Sequence, residues 1–139
     1  GECVAPFEVI PESAECFYVS SQWLTWDSAR AKCQSLGGDL AVPRDVKALG
    51  AYVETFLPQG NTWFYVGGNN REDPQRRLLW INGKPVTGPW FGGKTTPNTT
   101  APESCLLMYI LATKLGELQW GTCVGNHHYS YICQIASKR

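Results

Sequence analysis

The chain has 139 residues, with 12 Lys and Arg balanced by 12 Asp and Glu, and it carries 6 Cys. That length makes a single domain over 1–139 with room for a real core. The balanced charge offers nothing to capture nucleic acid or an anionic membrane. No apolar run approaches the roughly 20 residues of a membrane span. No secretory leader precedes Gly1, so the expected start is that of a mature or trimmed chain.

The cysteines stand at 3, 16, 33, 105, 123 and 133, with no Cys-x-x-Cys pair among them. That spacing argues against a zinc ribbon or a thioredoxin-type redox site, both of which need two sulfurs close together. Three structural disulfides formed in an oxidising, extracellular compartment are the expected use, and spacing alone leaves most of the pairing open.

Cys3 and Cys16 flank a segment containing Pro6 and Pro11, and Phe17-Tyr18-Val19 follows. This reads as an N-terminal hairpin over 3–20, stapled by its own disulfide. Closing a loop of that length stabilises a fold by about 3 kcal/mol on the chain-entropy account. A first helix is capped by Thr25, carries Asp27 at the positive end of its dipole, and stops at Gly37. Trp26, Ala29, Cys33 and Leu36 fall on one face of it. Leu40-Ala41-Val42 is a short extended piece.

Asp45 caps a second helix with an apolar stripe of Val46, Leu49, Val53 and Phe56, ended by Pro58. Trp63-Phe64-Tyr65-Val66 reads as a buried strand broken by Gly67-Gly68. From there to residue 104, Gly, Pro and Asn punctuate the chain, with Trp80-Ile81 and Trp90 as its strong apolar anchors. A loop region this long inside a domain is characteristically functional or disordered, and its anchors favour order. Strands return at Leu106 to Leu111, Leu118 to Trp120 and Tyr129 to Ile135. The class is α+β.

These pieces together resemble the C-type lectin-like domain. The resemblance rests on Trp26-x-x-Ala29-x-x-x-Cys33, on Gly37-Gly38-x-Leu40-Ala41, and on Phe64-Tyr65-Val66-Gly67-Gly68 in place of the family's Trp-Ile-Gly-Leu. Trp80 with Asn82-Gly83, Trp90, Cys105, Trp120, Cys123 and Tyr131-Ile132-Cys133 complete it. It implies two helices on small antiparallel sheets, a long-loop lobe over 67–104, and the pairings Cys3–Cys16, Cys33–Cys133 and Cys105–Cys123.

The resemblance also implies where a ligand would dock. Sugar-binding members hold calcium at the long loop through a Glu-Pro-Asn or Gln-Pro-Asp triplet, a Glu shortly before a cysteine, and Asn-Asp after a tryptophan. Here the triplet is Thr96-Pro97-Asn98, and Glu103 keeps its carboxylate two residues before Cys105. Gly121 and Thr122 follow Trp120 where the acidic pair belongs, and Gln134 follows Cys133 where many members place a glutamate. Calcium asks for six to eight oxygens, several of them anionic. Asn98 and Glu103 are a residue of such a site, so no calcium cofactor is expected. Asn98-Thr99-Thr100 is also an acceptor sequence for N-glycosylation.

The other loop groups able to contact a ligand are Phe91, Lys94, Arg71, Arg76 and Arg77, with Phe91 expected as an exposed contact beside Gly92-Gly93. Glu72 and Asp73 read as a solvated acidic turn. His127 and His128 read as exposed residues before the last strand, facing opposite ways. With no free thiol and no Gly-x-Ser-x-Gly motif, they do not make an enzyme. The expected function is a secreted recognition module that binds a glycan or protein ligand through Thr96, Asn98, Glu103, Phe91 and Lys94. The family's use in innate immunity gives that reading a context by analogy. A calcium-dependent lectin with altered ligands is the alternative, and a mineral- or ice-binding matrix role is a further one.

Overall fold

Thr25 and Asp45 decide where the helices begin. In the computed structural model, which describes residues 3–10, 13–55, 62–91, 103–110 and 116–136, the Thr25 hydroxyl accepts the Ser28 N–H at the head of α1 (Trp26–Ser35). Asp45 does the same for Ala48 at the head of α2 (Val46–Glu54). Gly37, at φ +94°, turns the chain out of α1. The buried faces are Trp26, Ala29 and Cys33 on α1, and Val46, Leu49 and Val53 on α2. Phe56 and Pro58 lie outside the described residues.

The strands are β1 (Glu8–Ile10), β2 (Glu15–Leu24), β3 (Asp39–Leu40), β4 (Trp63–Asn69), β5 (Leu79–Trp80), β6 (Ser104–Tyr109), β7 (Glu117–Thr122) and β8 (Tyr129–Ile135). They join in the order β1-β2-β8-β4-β6-β7, with β3 on β8 and β5 on β4. Every pair is antiparallel except β4 with β8.

Two helices flank this sheet, and strand alternation divides the core between them. Phe64 and Val66 of β4, Leu106 and Met108 of β6, and Ile132 of β8 pack in one cluster with α2. Their neighbours Tyr65, Leu107, Tyr131 and Cys133 pack in a second cluster with α1. Central strands covered on both faces lose polar alternation, which is why they read as continuous apolar runs. The Trp26 indole N–H donates to the Val66 carbonyl at 2.9 Å and fixes α1 on β4.

Disulfides join Cys3 to Cys16, Cys33 to Cys133 and Cys105 to Cys123. The first staples the N-terminal segment, the second ties α1 to β8, and the third ties β6 to the end of β7.

Two expectations need correcting. Gly67 and Gly68 do not break β4; the strand runs through both to Asn69. A Cβ on Gly67 would stand 2.8 Å from the Leu40 carbonyl oxygen, and one on Gly68 would stand 2.7 Å from the Leu106 side chain. These glycines serve close packing within the sheet. The segment after β4 is also better anchored than its punctuation suggests. Leu78 and Val86 are buried in the α2 cluster, and Trp80 and Trp90 pack half-buried against it.

Candidate functional site

The base of the long loop is assembled where β4 ends and β6 begins. The Asn70 N–H donates to the Ser104 carbonyl at 3.1 Å, and the Ser104 N–H donates to Asn70 Oδ1 at 2.7 Å. The Asn69 carboxamide accepts the Arg71 N–H at 2.8 Å and bends the chain as an Asx turn. Asn69 and Asn70 are themselves buried. The bend aims the Arg71 side chain across the gap between the strands. Its Nε lies 2.8 Å from Glu103 Oε1, and its Nη1 lies 2.7 Å from Asp27 Oδ1 at the head of α1. The Cys123 N–H donates to the Glu103 carbonyl, and the Cys105–Cys123 disulfide stands beside it.

The surrounding charges are committed as well. Asp73 accepts the Arg77 main-chain N–H at 2.8 Å, and both its oxygens take the Arg77 guanidinium, at 3.0 and 3.1 Å. Those hydrogen bonds hold the Asp73 carboxyl down at about 2. Arg30 takes Asp39 through two bonds and reaches Glu72 at 3.2 Å. The expected acidic turn is thus split between two arginines. Of the arginine pair, Arg77 is consumed by Asp73. Gln134 uses its amide to join the Val42 N–H to buried Glu15. Among the described residues, no group of three or more His, Cys, Asp and Glu side chains could hold a metal ion.

Phe91 is half-buried rather than an exposed contact. Its ring meets Tyr109 at 4.7 Å and Trp63 at 5.7 Å, both edge-on, because the strand ends of β4 and β6 present aromatic surface there. Trp90 packs edge-on against Trp120 at 5.4 Å. Thr122, where an acidic ligand is expected in calcium-binding members, accepts the Val124 N–H on its hydroxyl oxygen at 3.2 Å. Lys94, Thr96 and Asn98 lie outside the described residues. His127 and His128 are exposed; the Nδ1 of His128 donates to the Asn126 carbonyl at 2.8 Å.

The stretch that holds α1, α2, β3 to β8 and the Cys33–Cys133 and Cys105–Cys123 disulfides is matched by a family model. The family described as Lectin C-type domain matches residues 22–135. The chain belongs to this family. Solved structures share the fold of this C-type lectin domain. A calcium-independent type II antifreeze protein is 24% identical with a TM-score of 0.69, over 98% of this chain and 95% of its own. TC14, a C-type lectin from the tunicate Polyandrocarpa misakiensis, is 22% identical with a TM-score of 0.68, over 88% of this chain and 98% of its own. The C-type lectin CEL-I from Cucumaria echinata is 15% identical with a TM-score of 0.74, over 99% of this chain and 100% of its own. No curated protein sequence gives a match.

Sequence reasoning placed Arg71 among loose loop cations and Asp27 with the helix dipole. It missed that Arg71 is the partner of both Asp27 and Glu103. No local signal could have revealed that, since the three residues come from separate segments. In this C-type lectin domain an arginine cation occupies Glu103, the carboxylate that the resemblance would offer to calcium.

Proposed function

We propose that this C-type lectin domain is a secreted, non-catalytic recognition module that binds a glycan through its long-loop lobe without a calcium bridge. The observation that carries the reading is the 2.8 Å pair between Arg71 and Glu103. A guanidinium already neutralises the surviving carboxylate, and the residues after Trp120 supply no acidic partner for a cation that needs several. Six paired cysteines support an extracellular setting. A pathogen-facing role in innate immunity, and a protein in place of a glycan as ligand, are compatible with the same lobe.

Thermal melting with calcium and with EDTA tests the metal, and a glycan array run in both conditions tests the ligand. The reading expects the same midpoint in both buffers. It also expects glycan signal that survives chelation and is lost in Asn98→Ala or Glu103→Ala. A clear stabilisation by calcium would replace it with a calcium-dependent lectin of altered ligands. An array without signal would turn the search to protein partners. Intact mass before and after deglycosylation decides whether Asn98 carries a glycan over this lobe. Ice binding is a second reading, favoured by the calcium-independent antifreeze protein that shares the fold; a thermal-hysteresis measurement separates it.

A further inference from the structure

The turn that leaves β4 has no apolar anchor of its own. Residues 69–77 read Asn-Asn-Arg-Glu-Asp-Pro-Gln-Arg-Arg, and the buried ones, Asn69, Asn70 and Asp73, are all polar. The next buried apolar side chain is Leu78. A segment with so little apolar burial belongs to the low-stability end of a fold, and its polar bonds decide whether it stays in place. Two sets of them are already described: Asn70 exchanges bonds with Ser104, and Asp73 closes on Arg77 within the turn.

The third set comes from α1. Asp27 and Arg30 stand three residues apart, on one face of the helix. They meet consecutive turn residues with the charges crossed. Arg71 Nη1 donates to Asp27 Oδ1 at 2.7 Å, and Arg30 Nη1 donates to Glu72 Oε2 at 3.2 Å. A slip of the turn by one residue in either direction would set Asp27 against Glu72 or Arg30 against Arg71. Arg30 is itself fixed by two bonds to Asp39, with its guanidinium 5.8 Å from the Trp26 ring. Isolated surface pairs contribute little, whereas a network with bidentate geometry contributes measurably. The seating of α1 does not depend on these charges. Its apolar face is buried, the Trp26 indole bonds Val66, and Cys33–Cys133 ties it to β8.

We propose that Asp27 and Arg30 form an electrostatic clasp for the base of the long-loop lobe, which salt opens while the rest of the fold stays closed. Since Arg71 also holds Glu103, opening the clasp loosens the lobe at that carboxylate. Only this consequence rests on the proposed function; the clasp is tested without glycan or calcium, so the two can fail separately.

Amide hydrogen exchange followed by NMR tests it, at about 20 mM and about 1 M sodium chloride, between which the screening length falls to a few ångströms. The reporters are the N–H groups of Asn70, Arg71 and Ser104, bonded to the Ser104 carbonyl, Asn69 Oδ1 and Asn70 Oδ1. The controls are the Ala41 N–H, bonded to the Ile132 carbonyl, and the Trp26 indole N–H. At high salt the reporters should lose protection by about fivefold or more, the factor for screening two pairs of ordinary surface strength, while the controls hold. Asp27→Asn combined with Glu72→Gln should give the same loss at low salt and little further loss at high salt. Both carboxylates are 62% exposed, so their removal leaves the core intact. Reporters unmoved by salt, an undiminished salt response in the double variant, or controls that lose protection in step with the reporters would each overturn the proposal. The salt arm uses the unaltered domain, so it decides the matter even if the double variant is destabilised.

Discussion

Arg71 Nε lies 2.8 Å from Glu103 Oε1, and the same guanidinium lies 2.7 Å from Asp27 Oδ1. One side chain thereby connects the end of β4 to the start of β6 and to the head of α1. The three groups are partly exposed, with side-chain accessibilities of 30%, 41% and 62% for Arg71, Glu103 and Asp27. Solvent screening at that exposure limits each pair to roughly 0.5–1 kcal/mol. A double-mutant cycle of Arg71→Met and Glu103→Gln should return a coupling of about that size, measured by denaturant unfolding. It should shrink as salt is raised toward molar concentrations. A coupling of zero at low salt would show that Glu103 is not held by Arg71.

Asp73 supplies the acid-side prediction. Its folded carboxyl titrates at about 2, against an ordinary value of 3.8, because Arg77 donates side-chain and main-chain hydrogen bonds to it. The folded state therefore binds that proton less readily than the unfolded chain does. The stabilisation is complete above the unfolded value, and it is lost as pH falls from about 4 through about 2. The unfolding midpoint of Asp73→Asn should show a shallower acid slope over that window than the unaltered domain. NMR titration of the Asp73 carboxyl gives the direct check.

Much of this architecture is readable along the chain, because its causes are local. Thr25 and Asp45 cap their helices by bonds three residues away. Trp26, Ala29 and Cys33 repeat with the helical period. Paired glycines misled for the same reason: Gly67-Gly68 looks like a local break, whereas the need for glycine comes from Leu40 and Leu106 on neighbouring segments. The loop base is less legible still. Arg30 meets Glu72 across 42 residues, and Arg71 meets Glu103 across the whole long loop region. Neither partner carries a sequence pattern that points to the other.

The disulfides should differ in weight. Cys33–Cys133 closes 100 residues and Cys3–Cys16 closes 13. By loop-closure entropy the longer one stabilises the fold by about 4–5 kcal/mol and the shorter one by about 3 kcal/mol. Cys33 and Cys133 are also fully buried, on α1 and β8. Replacing both by Ala should lower the denaturant midpoint more than replacing Cys3 and Cys16 by Ala. The reverse order would mean that the N-terminal staple, rather than the tie between α1 and β8, organises the fold.

Gly67 gives the sharpest test of the sheet. Its N–H donates to the Ala41 carbonyl at 2.7 Å, and its own carbonyl accepts the Ile81 N–H at 2.7 Å. A Cβ there would stand 2.8 Å from the Leu40 oxygen and 3.0 Å from the Ala41 oxygen, both main-chain atoms that cannot rotate away. Gly68 would press on buried Leu106, with Cδ2 at 2.7 Å and Cβ, which no rotamer moves, at 2.9 Å. Overpacking of this kind costs about 1–3 kcal/mol. Gly67→Ala and Gly68→Ala should therefore both fall toward the top of that range, read from unfolding midpoints. Since β4 is the central strand that delivers Asn69, Asn70 and Arg71 to the loop base, Gly67→Ala should also weaken the Arg71–Glu103 coupling. Equal and small effects from the two substitutions would show that the strand has slack at this point, and that its glycines are not there for close approach.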